Sequence, residues 1–183
     1  MKITTTAIEG LAIIETQAFR DHRGEFARFF CANELAPVMG PRHIVQINRS
    51  LTRAPGSVRG LHFQYPPHAE MKLVRCTRGR VLDVAVDIRV GSPTYLKWEG
   101  CELSADNALM FAIPEGFAHG FQVLEPDSEL VYLTTSAYQP KAEGGIRPDD
   151  PAIGVRWPLP VSGLSDRDLA HPLLGSDFRG VKL

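Results

Sequence analysis

The chain has 183 residues, 44% of them hydrophobic, so it is long enough to bury a sizeable core within one domain. Its 20 Lys and Arg residues nearly balance 21 Asp and Glu residues, and neither sign forms a long run, which argues against a nucleic-acid partner. No apolar stretch approaches the roughly 20 residues of a membrane span and no signal peptide is visible, so the sequence predicts a soluble cytoplasmic protein without membrane contact.

Short apolar segments, rich in Val, Ile and Phe and separated by Gly and Pro, give the sequence an all-β pattern. Short helices are expected only near 33–39 and after Ser165. The expected strands, in chain order, are 43–49, 58–64, 71–76, 82–89, 108–113, 119–124 and 129–135. So many short strands favour a barrel or a double-sheet jelly roll, because these architectures hide the strand edges of an antiparallel protein.

Two Pro-rich pieces, 140–160 and 171–172, are expected to be ordered loops rather than linkers. The first contains apolar side chains, such as Ile146 and Trp157, that need a packing partner. The sequence therefore predicts a single domain over residues 1–183, with N- and C-terminal arms around the sheets.

Four polar residues on neighbouring strands could meet inside such a barrel. Strand alternation directs His62, Lys72, Asp83 and Tyr132 to the polar faces of their strands, and the mouth of a barrel is a common ligand site. His has the side-chain pKa nearest physiological pH, and a buried Lys can stabilise an anion that forms beside it. The pair is therefore suited to proton abstraction from a carbon acid.

Each of these residues also has a structural interpretation that is more common when the residue is taken alone. A lone His is more often a hydrogen-bonded structural residue, a lone Lys lies at the surface, and a Tyr among apolar neighbours belongs to the core. Asp83 and Asp87 are expected as a solvated strand face or as hydrogen-bond partners rather than as an acid pair. Convergence in one cavity is what a functional interpretation requires.

A metal site has partial support. The segment from Pro114 to His119 resembles the second cupin motif, PxGxxH, whose histidine is a ligand in metal-binding cupins. The first cupin motif requires two histidines one residue apart and then a glutamate, but Gln64 replaces the second histidine, and His68 and Glu70 are off that spacing. Because a divalent metal needs three or four convergent ligands, we expect no functional metal.

The three cysteines, Cys31, Cys76 and Cys101, are odd in number and form no CxxC pattern. Neither a disulfide framework nor a cysteine-based zinc site is expected, and the sequence predicts buried free thiols.

A series of short motifs runs along most of the chain. They are Asp21-x-Arg23-Gly24-x-Phe26, Gln46-x-Asn48-x-Ser50, Arg59-Gly60-Leu61-His62-Phe63-Gln64, Lys72-Leu73-Val74-Arg75, Asp83-Val84-Ala85-Val86-Asp87-x-Arg89, Ser92-Pro93-Thr94, Pro114-x-Gly116-Phe117-Ala118-His119-Gly120-Phe121, Tyr138-x-Pro140, Asp150-Pro151, Trp157-Pro158 and Leu164-Ser165-x-x-Asp168. In this order they closely resemble the dTDP-4-dehydrorhamnose 3,5-epimerase family of cupins. The resemblance covers about residues 20–172 and is more specific for the family than for the substrate.

The resemblance implies a metal-free cupin jelly roll with short peripheral helices, which forms a homodimer and needs no cofactor. Its substrate would be a nucleotide-linked 4-keto-6-deoxyhexose, inverted at C3, C5 or both through an enolate. The implied catalytic residues are the base dyad His62 and Asp168, the acid Tyr132 and the enolate-stabilising Lys72. The implied substrate-binding residues are Arg23, Phe26, Gln46, Asn48, Arg59, His119, Tyr138, Glu143 and Arg167.

Other functions remain open at this level. A single-centre epimerase or a 3,4-ketoisomerase would use the same base with a differently placed acid. A cupin that only binds sugars, or one that binds a metal through His62 and His119, would not catalyse proton exchange.

One position departs from the family pattern. Members commonly carry Glu two residues after the Phe of the Arg-Gly-x-Phe motif, and this chain has Arg28 there. In the family this carboxylate is placed at the nucleotide end of the site. The charge reversal therefore predicts altered hydrogen bonding to the ribose or base, and hence a different nucleotide or sugar, or compensation by another side chain.

Overall fold

Antiparallel strands make up most of the fold, which the computed structural model describes over residues 1–183. The strands are β1 (Lys2–Thr5), β2 (Ala12–Glu15), β3 (Ala18–Asp21), β4 (Gly24–Ala27), β5 (Gln46–Thr52), β6 (Val58–Gln64), β7 (Lys72–Arg78), β8 (Arg80–Asp87), β9 (Trp98–Ser104), β10 (Leu109–Ile113), β11 (Phe117–Val123), β12 (Ser128–Thr134) and β13 (Glu143–Gly145). The helices are α1 (Ala32–Met39) and α2 (Asp166–Ala170). Neither helix has the length and apolarity needed to cross a bilayer.

Two large sheets form the body of the molecule. One has six strands in the order β1-β2-β10-β7-β12-β5, and the other has five in the order β13-β6-β11-β8-β9. From β5 onward the chain passes from one sheet to the other at almost every turn, as in a jelly roll. The expected all-β, double-sheet jelly roll with short peripheral helices is confirmed.

All the strands expected from the sequence form, and so do both short helices. The first of these strands begins at Gln46 rather than at residue 43, because the residues before it link α1 to the sheet. Strands β1–β4, β9 and β13 were not expected. Strand β9 has little apolar periodicity and β13 is three residues long with two glycines, so neither carries the usual strand signal.

The apolar core fills one part of the space between the sheets. It takes inward-facing side chains from both, such as Val74 and Leu130 from the six-stranded sheet and Ala85 and Phe121 from the five-stranded sheet. The same alternation places Lys72 on the inward face of β7, next to this core. The remaining space between the sheets is lined mostly by polar residues.

The cysteines form no disulfide. Cys76 and Cys101 are buried free thiols, as expected, and burial raises the pKa of Cys76 to about 11 and that of Cys101 to about 12. Cys31 is only half-buried.

Both sheets are covered on their outer faces. Helix α1 packs Leu35 and Met39 on the six-stranded sheet, within a second apolar cluster. The C-terminal segment covers the five-stranded sheet with Ile146 and Ile153, and Trp157 packs against the same cluster. The prediction that the Pro-rich segment is ordered by packing is thus confirmed, and this packing carries the chain to α2.

A bulge between β6 and β11 determines which side chains of β6 face inward. His62 pairs with His119, but Arg59 pairs with Phe121, so two residues of β6, at positions 60 and 61, oppose one residue of β11, at position 120. The extra residue lets Arg59 and His62 face the same cavity, although strict alternation would separate them. Gly60 sits at this bulge with φ +129°, and a Cβ there would lie 2.5 Å from the Gly120 Cα.

Strands β3 and β4 form a separate hairpin that hydrogen-bonds to neither sheet. Phe19 is 63% exposed and Phe26 is 67% exposed on this hairpin. A two-stranded hairpin alone is only marginally stable in water. Because this hairpin has no strand partner in either sheet, its position depends on the residues that connect it to them.

Replacing Gly60 by Ala is expected to lower the free energy of unfolding by about 2 kcal/mol or more, because the new methyl group would overlap backbone atoms of β11. The control is Gly91→Ala, since Gly91 also has a positive φ, +79°, but has no atom within 4 Å of its Cβ position. Strain alone should lower the stability of this control by about 1 kcal/mol. Urea denaturation followed by circular dichroism measures both, and equal losses would contradict the close approach.

Candidate active site

A polar cavity of about 570 Å³ lies between the two sheets, beside the core. Its walls come from both sheets and from α2. The predicted site residues that line it are Arg59, His62, Lys72, His119, Tyr132, Arg167 and Asp168. The structure therefore brings together all four predicted catalytic residues.

His62 and Asp168 form the closest pair in the cavity. The His62 Nε2 lies 2.6 Å from the Asp168 Oδ1, across a gap of 106 residues in sequence. Asp168 is buried, and its backbone N–H donates to the hydroxyl of Ser165, which caps the N-terminus of α2. Burial lowers the pKa of His62, while the hydrogen bond and charge of Asp168 oppose that shift. His62 is thus held neutral and oriented, as a general base requires.

Lys72 is buried at the cavity wall rather than exposed. Its Nζ lies 3.2 Å from a carboxylate oxygen of Glu70 and donates to the His62 carbonyl at 3.3 Å. The other Glu70 oxygen accepts a hydrogen bond from the Gln64 amide, which also donates to the His68 carbonyl. The residues that interrupt the first cupin motif therefore interact with one another and hold the ammonium group in place.

Tyr132 faces the cavity from the opposite sheet. It lies on β12, paired with Val74 of β7 and Asn48 of β5, whereas His62 lies on β6 of the other sheet. Burial raises the pKa of the Tyr132 hydroxyl, and the charge of Arg59 opposes this shift. The hydroxyl is therefore protonated at neutral pH and available as a donor.

A second His–Asp pair lies beside the first. His119 is directly opposite His62 in the sheet, and its Nε2 is 2.8 Å from an oxygen of Asp83. Asp83 is completely buried behind His119, and its other oxygen has no partner. Burial raises the pKa of Asp83. Asp83 thus supports a cavity residue without lining the cavity itself.

Asp87 has a different role. It is also completely buried, and burial would raise its pKa, but hydrogen bonds from Arg89, Ser92 and Thr94 outweigh this effect and lower the pKa to about 2. The expectation of a solvated face for Asp83 and Asp87 is wrong, and the alternative of hydrogen-bond partners is confirmed.

Metal-binding geometry was a second possibility for the two histidines. Both ring Nε2 atoms are hydrogen-bonded to aspartates. No three His, Cys, Asp or Glu side chains cluster in a way that could hold a metal ion.

A smaller adjoining cavity, of about 300 Å³, shares His62, Lys72, Tyr132 and Arg167 with the first. The other predicted substrate-binding residues that line it are Gln46, Asn48, Tyr138 and Glu143. These residues are linked by hydrogen bonds: the Gln46 amide donates to Asn48 at 2.8 Å, and Glu143 accepts from the Tyr138 hydroxyl at 2.8 Å and from Arg167 at 3.0 Å.

Two predicted substrate-binding residues, Arg23 and Phe26, lie outside both cavities. They belong to the β3–β4 hairpin, where Arg23 pairs with Asp21 and Phe26 is exposed. Arg28, just beyond the hairpin, pairs with Glu34 of α1.

Comparison with known proteins decides the family. The family model for dTDP-4-dehydrorhamnose 3,5-epimerase matches residues 5–176. The chain belongs to the dTDP-4-dehydrorhamnose 3,5-epimerase family. A family member from Sinorhizobium fredii named dTDP-4-dehydrorhamnose 3,5-epimerase is 43% identical over 175 residues, which cover 95% of this chain and 90% of the relative.

Two further relatives of this epimerase family are informative. The crystal structure of a 3,5-epimerase from Legionella pneumophila, in complex with dTDP-4-keto-L-rhamnose, has a TM-score of 0.88 and 42% identity, covering 92% of this chain and 90% of that chain. A dTDP-4-dehydrorhamnose 3-epimerase from Streptomyces niveus is 38% identical, covering 92% of this chain and 81% of the relative. The family thus includes proteins named for one inverted centre as well as for two.

Glu70 is one of the cavity residues that sequence reasoning did not assign to the site. Glu70 lies two residues before Lys72, the first residue of β7, so strand alternation directs both side chains to the same face. This spacing was the signal available in the sequence. Ser50 and Thr52 also line the main cavity, and Thr52 accepts a hydrogen bond from Arg59 at 2.8 Å.

Replacing Asp168 by Asn is expected to lower the pKa of His62 further, because the carboxylate is what raises it against the effect of burial. In the wild type, His62 should titrate below its ordinary value of 6.5. NMR titration of the histidine rings, with a His62→Gln variant for assignment, measures both values. Asp166→Asn, an exposed position on the same helix, should leave the titration of His62 unchanged. A higher His62 pKa in Asp168→Asn would contradict this assignment.

Proposed function

We propose that the chain is a cofactor-independent nucleotide-sugar epimerase that inverts C3 and C5 of a dTDP-linked 4-keto-6-deoxyhexose, converting dTDP-4-dehydro-6-deoxyglucose to dTDP-4-dehydrorhamnose. The observation that carries the proposal is the convergence of the His62–Asp168 pair, Lys72 and Tyr132 in one cavity. The names of the relatives support the same substrate. A cytoplasmic location stays a prediction from the sequence.

The proposed chemistry begins with a carbon acid. A proton on the carbon beside the C4 ketone is acidic because its removal gives an enolate, so catalysis needs a base at the carbon and positive charge at the oxygen. His62 takes the proton, and Asp168 fixes its orientation and stabilises the imidazolium. Lys72, held by Glu70, stabilises the oxyanion.

Inversion requires that the proton return to the opposite face of the ring. His62 projects from the five-stranded sheet and Tyr132 from the six-stranded sheet, so a sugar between them would be contacted on opposite faces. Tyr132 is a suitable donor because burial keeps its hydroxyl protonated. The two walls of the jelly roll thus supply the base and the acid.

The remaining cavity residues are suited to a nucleoside diphosphate. Arg59 and Arg167 line the main cavity, and guanidinium groups donate paired hydrogen bonds to phosphate oxygens. The adjoining cavity offers amide, phenol and carboxylate groups from Gln46, Tyr138 and Glu143, which can hydrogen-bond a ribose or base.

A single-centre epimerase is the second candidate function, and the relative named a 3-epimerase favours it. The same base and acid would serve either reaction, and the difference would lie in whether C5 can also reach His62. Product NMR after incubation in deuterated water separates the two, because it reports which carbons gain deuterium and which invert.

Wild-type protein is expected to exchange solvent deuterium into C3, C5 or both of dTDP-4-dehydro-6-deoxyglucose, and His62→Ala is expected to abolish this exchange. Tyr132→Phe should keep exchange but lose about 10²-fold or more in inversion, because His62 can return a proton only to its own face. NMR of the sugar protons measures both, and circular dichroism checks the fold. Near-normal exchange in His62→Ala would remove His62 from the mechanism.

Arg28 is proposed to alter nucleotide preference. If the charge at this position contacts the nucleotide, Arg28→Glu should increase the ratio of kcat/KM for a dTDP-linked over a GDP-linked 4-keto sugar by about tenfold, through changed hydrogen bonding to the ribose or base. The assay compares both substrates for the wild type and the variant. A strict and equal preference for dTDP in both proteins would refute this role.

The predicted homodimer offers a role for the β3–β4 hairpin. We propose that Arg23 and Phe26 complete the cavity of a second copy, because the resemblance assigns them to the substrate while their hairpin stands away from the chain's own cavities. The exposed Phe19 and Phe26 rings support an apolar partner for this hairpin.

Subunit complementation tests this arrangement. One variant carries His62→Ala, and the other carries Arg23→Ala and Phe26→Ala; each alone is expected to be nearly inactive. After unfolding and refolding together in equal amounts, activity should return to about one quarter of wild type, because about half the dimers are mixed and one of their two sites is intact. If the hairpin serves its own chain's cavity, no mixed dimer has an intact site and no activity returns.

A further inference from the structure

Arg75 is a buried cation without a carboxylate partner. It lies on β7, on the face opposite Lys72, and is 2% exposed. Its Nη1 donates to the Ala108 carbonyl at 2.7 Å and its Nη2 donates to the Thr16 hydroxyl, while its Nε has no partner. Burial lowers the pKa of Arg75 to about 10.

Such an arrangement is unfavourable if packing alone is considered. A buried charge loses its hydration, and an apolar side chain of similar size is often as stable or more stable in its place. Its neighbours on the adjacent strands, Met110 and Val131, belong to an apolar surface. The groups that Arg75 contacts must therefore explain its position.

Two of those groups belong to the residues that flank the β3–β4 hairpin on either side. Thr16 lies two residues before the first hairpin strand, and its hydroxyl accepts a hydrogen bond from the guanidinium. Phe29 lies two residues after the second hairpin strand, and the guanidinium carbon lies 4.5 Å from the centre of the Phe29 ring. A cation over an aromatic face at this distance is an attractive interaction. One guanidinium group thus holds both ends of the hairpin on the outer face of the six-stranded sheet.

Apart from Arg75, the other anchor beside the hairpin is the ion pair between Arg28 and Glu34 of α1. The hairpin pairs with neither sheet, and its aromatic residues Phe19 and Phe26 are exposed. Small changes of angle at its two ends would be amplified at its tip, where Arg23 lies.

We propose that Arg75 is a positioning residue for the β3–β4 hairpin, which it holds at Thr16 and Phe29 so that Arg23 and Phe26 meet the substrate in a fixed orientation. The inference rests on the proposed role of this hairpin in the site of a second copy. A hairpin that is already fixed before binding loses less conformational freedom when the substrate arrives. Loss of the Arg75 contacts should therefore weaken substrate binding more than it slows the chemical step.

The test is Arg75→Met, which keeps the apolar bulk and removes the charge. We expect KM for the dTDP-linked substrate to rise about tenfold while kcat changes less than about twofold, because the base, acid and lysine are untouched. Trypsin should cleave after Arg20 and Arg23 about tenfold faster, since cleavage follows the population of open hairpin. Thermal unfolding should not occur at a lower temperature.

Arg49→Met is the matched control, because Arg49 lies on the same sheet but is exposed and pairs with Glu129. It should change neither KM nor the cleavage rate. Thr16→Val removes one of the two end contacts and should raise both quantities by a smaller factor than Arg75→Met. This variant keeps the test decisive if Arg75→Met does not fold.

Wild-type KM in a folded Arg75→Met protein, or wild-type KM and cleavage in Thr16→Val, would overturn the proposal. Phe26→Ala then shows whether the role of the hairpin fails as well. If Phe26→Ala raises KM, the hairpin contacts substrate and only the role of Arg75 is lost. If Phe26→Ala also keeps the wild-type KM, the proposed contact between hairpin and substrate is lost too.

Discussion

Apolar packing between the two sheets is the constraint on which the site depends. Inward-facing side chains such as Val74 and Phe121 join the sheets through one part of the interior and leave the rest to polar residues. Because the walls are parts of a close-packed core, the cavity residues have fixed backbones on both sides. His62 and Tyr132 are therefore separated by the spacing of the sheets and face one cavity from opposite walls.

Charge in this interior is balanced locally. Lys72 is compensated by Glu70, and each histidine of the cavity is hydrogen-bonded to its own aspartate. Buried polar groups without partners are costly, so the pairs maintain a set of ionisable side chains that an apolar cavity could not hold. Asp83 shows the limit of this balance, since one of its oxygens has no partner and its pKa is raised by burial.

Strand periodicity in the sequence predicted much of this arrangement. His62, Lys72 and Tyr132 reach one cavity because side chains alternate along regular strands. Arg59 could not be placed this way, since a bulge changes the alternation between it and His62. Asp83 faces inward as expected, but only the tertiary structure shows that His119 covers it.

Other parts of the site carry no periodic signal. The pairing of Asp168 with His62 was available only through the resemblance, because a contact across 106 residues leaves no local trace in the sequence. The β3–β4 hairpin was missed because its strands have no buried face to produce an alternating pattern. The residues that flank it contact Arg75 through Thr16 and Phe29, and α1 through the Arg28–Glu34 ion pair.

The location of Asp168 on the C-terminal arm also has a consequence for the order of folding. Closing a loop of this length is entropically costly, and contacts distant in sequence tend to form late. We therefore expect a jelly roll that has assembled before the arm docks to contain His62 without its carboxylate. Such an intermediate would be compact yet chemically incompetent, so catalytic power would be acquired after most of the native structure.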